Sequence, residues 1–402
     1  MGALLKDFNT QALGAGVSAF IWYAFGAVPL HIAVASQLGL DPVQSSSWVF
    51  IVWTTGAAAS IALSIYYRQP IPITWSVPGI VYLGTLAGQF TFAEMVGANL
   101  VAGLLILVFS MAGIGSRLMA WLPMPIVMAM FAGSIFTYAT RLVAVTVDDL
   151  VIAGSTVLGY LVARFINSNK VPPVGLAVLV GAIAVAIDGG TGSSAFTWNA
   201  PSISMPAMEL EGSAIVAISL PMVVLALGLG NVQGLGFLVG QGYKVPIDRV
   251  SVTVGILSVV NALFGGHASQ VARTGVAILG SPEAGPLGGR YWANLIAATL
   301  TLLIAFGAGL VIVLLDLLPA SYVFALAGLA IFASLQGAFE QAFSTNLRFG
   351  ALIAFAVAAT PFAVFGITSA FWAVLIGVGG SLIAERQELK DYWADQQGAS
   401  GT

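Results

Sequence analysis

Two short apolar stretches of this chain are the most informative about its fold: Ile73-Thr74-Trp75-Ser76-Val77-Pro78-Gly79-Ile80-Val81 and Ser269-Gln270-Val271-Ala272-Arg273-Thr274-Gly275-Val276-Ala277. Each is too short to cross a membrane and is interrupted by glycine or proline. In membrane proteins, such interrupted segments at corresponding positions of two repeats are the best sequence indication of a transport site. Because the second stretch contains Arg273, the pattern predicts an anionic substrate.

The composition places the chain among polytopic membrane proteins. Of its 402 residues, 59% are hydrophobic and 7% are charged, whereas a soluble domain has about 25% charged residues. A formal net charge of -3, without a Lys/Arg cluster, argues against nucleic-acid binding. The chain has no cysteine and two histidines, so neither a metal site nor a cofactor is expected.

About fourteen apolar runs follow one another, seven in each half of the chain. They are Leu13 to Ser36, Trp48 to Tyr66, Ile73 to Leu86, Phe92 to Ala112, Leu122 to Thr140, Leu150 to Ile166, Val174 to Ile187, Ala214 to Leu235, Val250 to Phe264, Ser269 to Leu279, Tyr291 to Leu315, Tyr322 to Phe343, Phe349 to Phe365 and Thr368 to Ala384. Most can span a bilayer core, which requires roughly 20 apolar residues, and the third and tenth are too short.

The charges between the segments predict their orientation. If the segments alternate across the membrane, the basic residues of the loops lie on one side, with Arg141 as the exception. The positive-inside rule makes that side cytoplasmic, so both termini are expected inside. No convincing cleavage site follows the polar N-terminal residues, so the first segment is expected to be retained.

The two halves repeat each other at an offset of 196 residues. Leu122-Pro123 returns as Leu318-Pro319, and Gly79 corresponds to Gly275. Chance similarity among Gly/Ala/Leu-rich helices is the alternative, but the shared offset argues against it. Because each repeat has an odd number of segments, the copies must be inverted in the bilayer. The sequence predicts an all-α polytopic membrane protein with a seven-plus-seven inverted repeat and half-helices at segments three and ten.

The chemistry is expected where these half-helices meet. If each stretch leads into a half-helix, two helix N-termini face each other, each equivalent to about half a positive charge. Arg273 adds a full charge, and its guanidinium matches a carboxylate through two parallel hydrogen bonds. Alternatively, Arg273 pairs with Glu283 or Glu340, or reaches one membrane surface. The substrate-binding candidates on the two stretches are Trp75, Ser76, Pro78, Gly79, Gln270, Arg273, Thr274 and Gly275.

Two further segments contribute candidates. Tyr23 and Phe25 of segment one would form a flat pocket for an aromatic ring, although helical aromatic residues more often pack against other helices. Segment eight contains the polar patch Gly228-Leu229-Gly230-Asn231-Val232-Gln233-Gly234. Asn231 and Gln233 are expected either to bind substrate or to form hydrogen bonds between helices, and the pattern does not separate the two.

Proton coupling has few candidates, because segments one, three, eight and ten contain neither Asp nor Glu. His31 and His267 are the two histidines of the chain. His267, beside Gly265-Gly266, is the better candidate for proton coupling, with a structural loop histidine as the alternative. Glu340, near the inner end of segment twelve, is the second candidate.

Three motifs resemble the benzoate/proton symporter (BenE-type) family of bacterial inner membranes: Thr74-Trp75-Ser76-Val77-Pro78-Gly79, Ser116-Arg117-Leu118-Met119 with Pro123, and Ser281-Pro282-Glu283-Ala284. The resemblance implies the fold shared by uracil-type nucleobase transporters and sulfate permeases. It implies a core domain over residues 1–113 and 205–317, a gate domain over 114–200 and 318–386, and a short cytoplasmic tail over 387–402. Substrate would lie between the half-helices, and movement of the core against the gate would give alternating access.

At Arg273 the chain differs from that family, whose members have small apolar residues there. Ala272-Arg273-Thr274-Gly275 resembles instead the arginine-bearing half-helix of sulfate permeases. The sequence thus predicts a secondary active transporter of an organic anion, an aromatic or small carboxylate such as benzoate, working by proton symport or by exchange with a counter-anion. An anion channel or uniporter and an inorganic-anion exchanger of the same fold are alternatives. A membrane-embedded enzyme is a remote one, because no nucleophile–base pair appears. The expected partners are the anionic substrate, the proton or counter-anion and the lipid bilayer, and a homodimer is left open.

Overall fold

The computed structural model describes residues 6–113, 121–166, 172–188, 200–310, 313, 317–344, 346–364 and 367–399. The motif Ser116-Arg117-Leu118-Met119 lies outside these ranges. Within them the helices are α1 (Thr10–Gln37), α2 (Pro42–Tyr67), α3 (Val77–Thr85), α4 (Phe92–Met111), α5 (Met124–Asp148), α6 (Ile152–Ile166), α7 (Pro173–Asp188), α8 (Gly212–Gly240), α9 (Ile247–Leu263), α10 (Arg273–Leu279), α11 (Tyr291–Ala305), α12 (Ala320–Phe343), α13 (Arg348–Ala359), α14 (Ser369–Ala384) and α15 (Arg386–Ala399). The strands are β1 (Ile73–Trp75), β2 (Ser269–Val271), β3 (Ala363–Val364) and β4 (Ile367–Thr368).

Helices α1 to α14 correspond to the fourteen predicted segments. Among the described residues, six helices are long and apolar enough to cross a membrane, namely α1, α2, α4, α5, α8 and α12. The predicted half-helices are confirmed, because α3 and α10 are short and each follows a three-residue strand. The pairing of β3 with β4 before α14 and the π-helical turns Ile215–Ser219 and Val224–Val232 within α8 were not predicted.

Helix packing follows the symmetry of the repeat, in which each helix of the first half has its counterpart seven segments later. Helix α2 packs on α11, and α4 packs on α9, which is the same contact after exchange of the two halves. Likewise α6 packs on α12 as α13 packs on α5, and α6 packs on α7 as α13 packs on α14. These equivalent contacts are what two inverted copies produce when they share one bundle.

The first interrupted stretch forms a strand because α2 holds its backbone. A methyl group at Gly56 would come within 2.9 Å of the Ile73 carbonyl oxygen, so glycine lets β1 lie directly against α2. The Ser60 hydroxyl then pairs with both backbone groups of Ile73, accepting from its N–H at 2.7 Å and donating to its carbonyl oxygen at 2.9 Å. These bonds satisfy backbone groups that a broken helix leaves free at membrane depth.

Residues 386–399, which include most of the predicted tail, form the helix α15. The Tyr392 hydroxyl donates to the Leu122 carbonyl oxygen at 3.3 Å and accepts from the Met124 N–H at 3.2 Å. Glu388 accepts the Leu347 N–H at 2.9 Å just before α13. The α15 helix therefore binds the beginnings of α5 and α13, where helical N–H groups lack partners within their own helix.

Candidate functional site

The two interrupted stretches meet as an antiparallel pair of strands. Ile73 lies opposite Val271, Thr74 opposite Gln270 and Trp75 opposite Ser269. Two further backbone bonds extend the pair, from the Ser76 N–H to the Ala268 oxygen at 3.0 Å and from the Ala272 N–H to the Pro72 oxygen at 2.9 Å. Because the strands are antiparallel and a half-helix follows each, α3 begins at one end of the pair and α10 at the other. We call the strand pair, together with the first residues of α3 and α10, the crossing.

Ser76 and Gln270 join the two half-helices through their side chains. The Ser76 hydroxyl caps α3 by accepting the Gly79 N–H at 3.1 Å, which is the usual role of an N-cap serine. It also donates to Gln270 Oε1 at 3.1 Å. Both residues are buried. The two candidates are therefore in contact, although 194 residues separate them in the sequence.

The polar patch of α8 receives strand β2. A methyl group at Gly230 would come within 2.5 Å of Gln270 Cβ, and one at Gly234 within 2.6 Å of Val271 Cγ1. Asn231 Oδ1 accepts the Val271 N–H at 3.0 Å. The patch lies at a π-helical turn, a distortion that is frequent at functional sites. Small residues and a cross-helix hydrogen bond thus let the second crossing strand approach α8 closely.

Arg273 is the first residue of α10 and is only partly exposed. Its Nη1 donates to Gln233 Oε1 at 2.9 Å. Gln233 Nε2 in turn donates to Gln341 Oε1 of α12 at 2.6 Å. Among the described residues, no carboxylate oxygen lies within 4.0 Å of the guanidinium, so Arg273 pairs with neither Glu283 nor Glu340.

An aromatic face adjoins the crossing. The Tyr23 hydroxyl lies against Gly275, where a methyl group would overlap it. The rings of Tyr23 and Trp75 meet edge to face with centroids 6.4 Å apart, and Trp75 stacks on Trp53 at 4.3 Å. Phe25 lies elsewhere, since its ring approaches Gly175 of α7.

Several buried polar atoms near the crossing lack a hydrogen-bond partner among the described residues, and these include Tyr23 Oη, Trp75 Nε1 and Asn231 Nδ2. An unpaired buried donor costs about 1–3 kcal/mol. Such groups in a native protein therefore require an explanation, such as a bound molecule or a functional role.

His267 lies in a buried cluster with His31, Trp48, Trp53 and Trp75. Trp48 Nε1 donates to His267 Nδ1 at 3.0 Å. Because the indole N–H is a donor only, Nδ1 is the acceptor, and the proton of the neutral ring is on Nε2. The residue after His267, Ala268, accepts the Ser76 N–H at its carbonyl oxygen at 3.0 Å, and the centroids of the two histidine rings are 6.1 Å apart. The coupling candidate is therefore connected to the N-cap of α3.

A cavity of about 1180 Å³ lies beside the crossing, between α1, α5, α6 and α12. Its lining includes Ser18, Trp22, Tyr160, Ile278, Gln336 and Phe339. None of the predicted binding residues lines this cavity. However, Thr274 is exposed one turn before Ile278 on α10. Glu340 accepts a hydrogen bond from the lining residue Gln336 at 2.7 Å, which places the second coupling candidate at the cavity.

Several residues of this region escaped the sequence analysis. Gln341, Trp53 and Ser60 become neighbours of the crossing only through the packing of distant segments. No local pattern distinguishes them: Trp53 and Ser60 lie inside a predominantly apolar segment, and Gln341 lies near the end of another. Only the pairing of segments would have identified them.

Comparison with known proteins bears on the whole chain. Residues 6–383 match the model of the BenE family, described as benzoate membrane transport protein. The chain is 28% identical over 392 residues to inner membrane protein YdcO of Escherichia coli, covering 95% of this chain and 97% of that protein. It is 26% identical over 380 residues to the benzoate membrane transport protein of Acinetobacter baylyi, covering 93% and 95%.

Solved structures show the fold. The transmembrane domain of a cyanobacterial bicarbonate transporter, BicA, aligns with a TM-score of 0.58 at 16% identity, over 94% of this chain and 98% of that one. The murine anion transporter Slc26a9, in its inward-facing state, aligns with a TM-score of 0.62 at 12% identity, over 95% and 69%. The predicted seven-plus-seven inverted repeat is therefore confirmed.

Proposed function

Because the chain belongs to the BenE family of benzoate membrane transport proteins, we propose that it is a secondary active transporter of an organic anion, specifically an aromatic carboxylate such as benzoate. The family consists of membrane transporters, which confirms the prediction that the chain is not an enzyme. The relative from Acinetobacter baylyi is named for benzoate.

The observation that carries the proposal is Arg273, a partly buried charge without a carboxylate partner among the described residues. A charged side chain inside a membrane segment costs at least about 2.5–3.5 kcal/mol. One hydrogen bond to an amide oxygen of Gln233 compensates this cost only in part. A bound carboxylate supplies the missing negative charge, and its two oxygens match the planar guanidinium.

The surroundings of Arg273 suit an aromatic acid. Tyr23 and Trp75 offer ring faces and edges beside the half-helices, and their unpaired Oη and Nε1 offer donors. An aromatic ring between such side chains gains from both apolar burial and ring geometry. The proposed site keeps the predicted residues Tyr23, Trp75, Ser76, Pro78, Gly79, Asn231, Gln233, Gln270, Arg273, Thr274 and Gly275. It omits Phe25, whose ring approaches Gly175 of α7.

We propose alternating access by movement between a core domain, residues 1–113 and 205–317, and a gate domain, residues 114–200 and 318–386. The contacts of α2 with α11 and of α4 with α9 hold the first group together, and those of α5 with α12 and α13 hold the second. We further propose that the protein lies in a bacterial inner membrane with both termini and the tail, residues 387–402, in the cytoplasm. The charge distribution of the loops supports this orientation.

Uptake of radiolabelled benzoate into proteoliposomes tests the proposal. Saturable uptake is expected, with competition by other aromatic carboxylates. Acceleration by an acidic exterior indicates proton symport, whereas acceleration by preloaded unlabelled benzoate with no effect of the external pH indicates exchange. Uptake that neither saturates nor responds to preloading contradicts the carrier mechanism and favours a channel or uniporter. Competition by inorganic anions alone contradicts the organic substrate.

Proton coupling is proposed to use His267, with Glu340 as the second candidate. His267→Asn keeps an oxygen near the position of Nδ1 to accept the Trp48 N–H but cannot titrate near neutral pH. We expect this variant to lose the stimulation of uptake by an acidic exterior while benzoate counterflow continues. Glu340→Gln serves as the parallel variant. If both variants keep full stimulation by the pH gradient, neither residue carries the proton.

A further inference from the structure

A chain of side-chain hydrogen bonds runs from the candidate anion site to helix α12. Arg273 Nη1 donates to Gln233 Oε1, and Gln233 Nε2 donates to Gln341 Oε1. Gln341 Nε2 then donates to the Gly337 carbonyl oxygen one turn earlier on α12, at 3.2 Å. The chain thus links α10 and α8, which we assign to the core, to α12, which we assign to the gate.

Arg273 determines the direction of each hydrogen bond between Arg273, Gln233 and Gln341. A guanidinium is a donor only, so Gln233 must present its oxygen to Arg273 and its nitrogen to Gln341. Gln341 must in turn present its oxygen to Gln233 and its nitrogen to α12. Charge-assisted donation at one end polarises the bonds beyond it. A change in the partner of Arg273 therefore changes the strength of the hydrogen bond between Gln233 and Gln341.

Arg273 also faces α12 directly, at a glycine. The nearest atom to a methyl group built on Gly337 is Arg273 Nη2, at 3.6 Å. The guanidinium of Arg273 therefore lies between α10 and α12. An anion that binds there competes with the Gln233 amide oxygen for the N–H groups of the guanidinium. A carboxylate carries a full negative charge and can accept two parallel bonds from the guanidinium, whereas the Gln233 oxygen is neutral.

We infer that the Arg273–Gln233–Gln341 chain is a latch between core and gate, which the substrate opens by taking Arg273 from Gln233. Gln341 is then a positioning residue, since it holds Gln233 against Arg273 without touching the substrate. Binding of the anion leaves Gln233 Oε1 without its donor and weakens the contact with α12. A ligand shifts a conformational equilibrium only through such a difference between two states. The inference rests on the proposed function, because it requires an anion at Arg273.

Two substitutions at one position test the latch with opposite expected signs. Gln341→Met keeps the side-chain length but removes the hydrogen bond to Gln233, so Gln233 is held less firmly against Arg273 and benzoate displaces it more easily. We expect benzoate to bind about threefold to tenfold more tightly, the equivalent of one neutral hydrogen bond. The ratio of the rate of benzoate counterflow to the rate of net benzoate uptake should fall. In the empty carrier, the hydrogen bond from Gln233 to α12 no longer holds the core against the gate. Gln341→Glu places a carboxylate beside Gln233. Because this carboxylate competes with benzoate for Arg273, the substitution should weaken benzoate binding.

The matched control is Gln387→Met, which changes an exposed glutamine that pairs with Asp391 on α15, at 2.9 Å. It should leave the affinity for benzoate unchanged. A merely structural role of Gln341 would make both substitutions weaken binding or leave it unaltered, and either result overturns the latch. Failure of the unmodified protein to bind benzoate would instead contradict the proposed function itself, so the two failures are distinguishable by calorimetry on the unmodified protein.

Discussion

Replacing Arg273 by glutamine is expected to weaken benzoate binding by about 100-fold, since each hydrogen bond to a charged group contributes about 1.5–3 kcal/mol. Glutamine keeps much of the side-chain length and a donor, but it removes the charge that attracts the carboxylate. The Arg273→Lys variant keeps the charge and loses the planar fork. It should bind benzoate about tenfold more weakly than the unmodified protein, because one of two parallel bonds is lost. Calorimetric titration of the purified protein measures both effects.

Arg249→Gln is the control for the loss of one positive charge. Arg249 is exposed at the beginning of α9, and its Nη1 donates to the Tyr67 hydroxyl at 3.5 Å, away from the crossing. This variant should bind benzoate as the unmodified protein does. Unchanged affinity and transport rate in Arg273→Lys would exclude the bidentate contact. Unchanged affinity in Arg273→Gln would exclude Arg273 from the substrate site.

The second large effect is expected at Gly275, where α10 approaches α1. In Gly275→Ala the added methyl group would overlap the Tyr23 hydroxyl. Adding a methyl group to a close-packed region typically costs about 1–3 kcal/mol. We expect a lower midpoint of thermal unfolding and a large loss of benzoate uptake, because α10 and the aromatic face must move apart.

A second substitution separates this clash from other effects of the change. Tyr23→Phe removes the hydroxyl that the methyl group meets, so the double variant should recover part of the stability lost in Gly275→Ala. Tyr23→Phe alone should change stability little, because this hydroxyl has no hydrogen-bond partner among the described residues. Gly236→Ala in α8, where no atom lies within 4 Å of the new methyl group, is the matched control. The proposed packing is wrong if Gly275→Ala behaves like Gly236→Ala.

Patterns that repeat along the chain were sufficient to predict the fold. The charge alternation between segments, the 196-residue offset between Gly79 and Gly275 and the two interrupted stretches together predicted an inverted repeat with two half-helices. These signals are visible in sequence because bilayer thickness and loop charge act on each segment separately. The short strands β3 and β4 and the π-helical turns of α8 depend on contacts with neighbouring segments, and nothing local indicates them.

The site was predicted less completely than the fold, since its residues meet across long sequence separations. The half-helix residues Ser76 and Gln270 were both candidates, but their mutual hydrogen bond depends on the register of β1 and β2. The sequence predicted no role for Gln341, because a single glutamine near the end of a helix does not form a recognisable pattern. For Gln233 the sequence left substrate binding and helix pairing open, and the structure shows a bond to Arg273 on one side and to Gln341 on the other.

We propose that Arg273 binds the negative charge of the substrate at the crossing of the half-helices. Calorimetric titration measures the affinities for benzoate and for benzamide, its uncharged analogue of nearly equal size, and so tests whether the charge of the substrate is bound. We expect benzamide to bind about 100-fold more weakly than benzoate, and this difference to disappear in Arg273→Gln, because the charge-assisted hydrogen bonds are absent in both cases. Equal affinities of the unmodified protein for benzoate and benzamide would show that Arg273 does not bind the negative charge of the substrate.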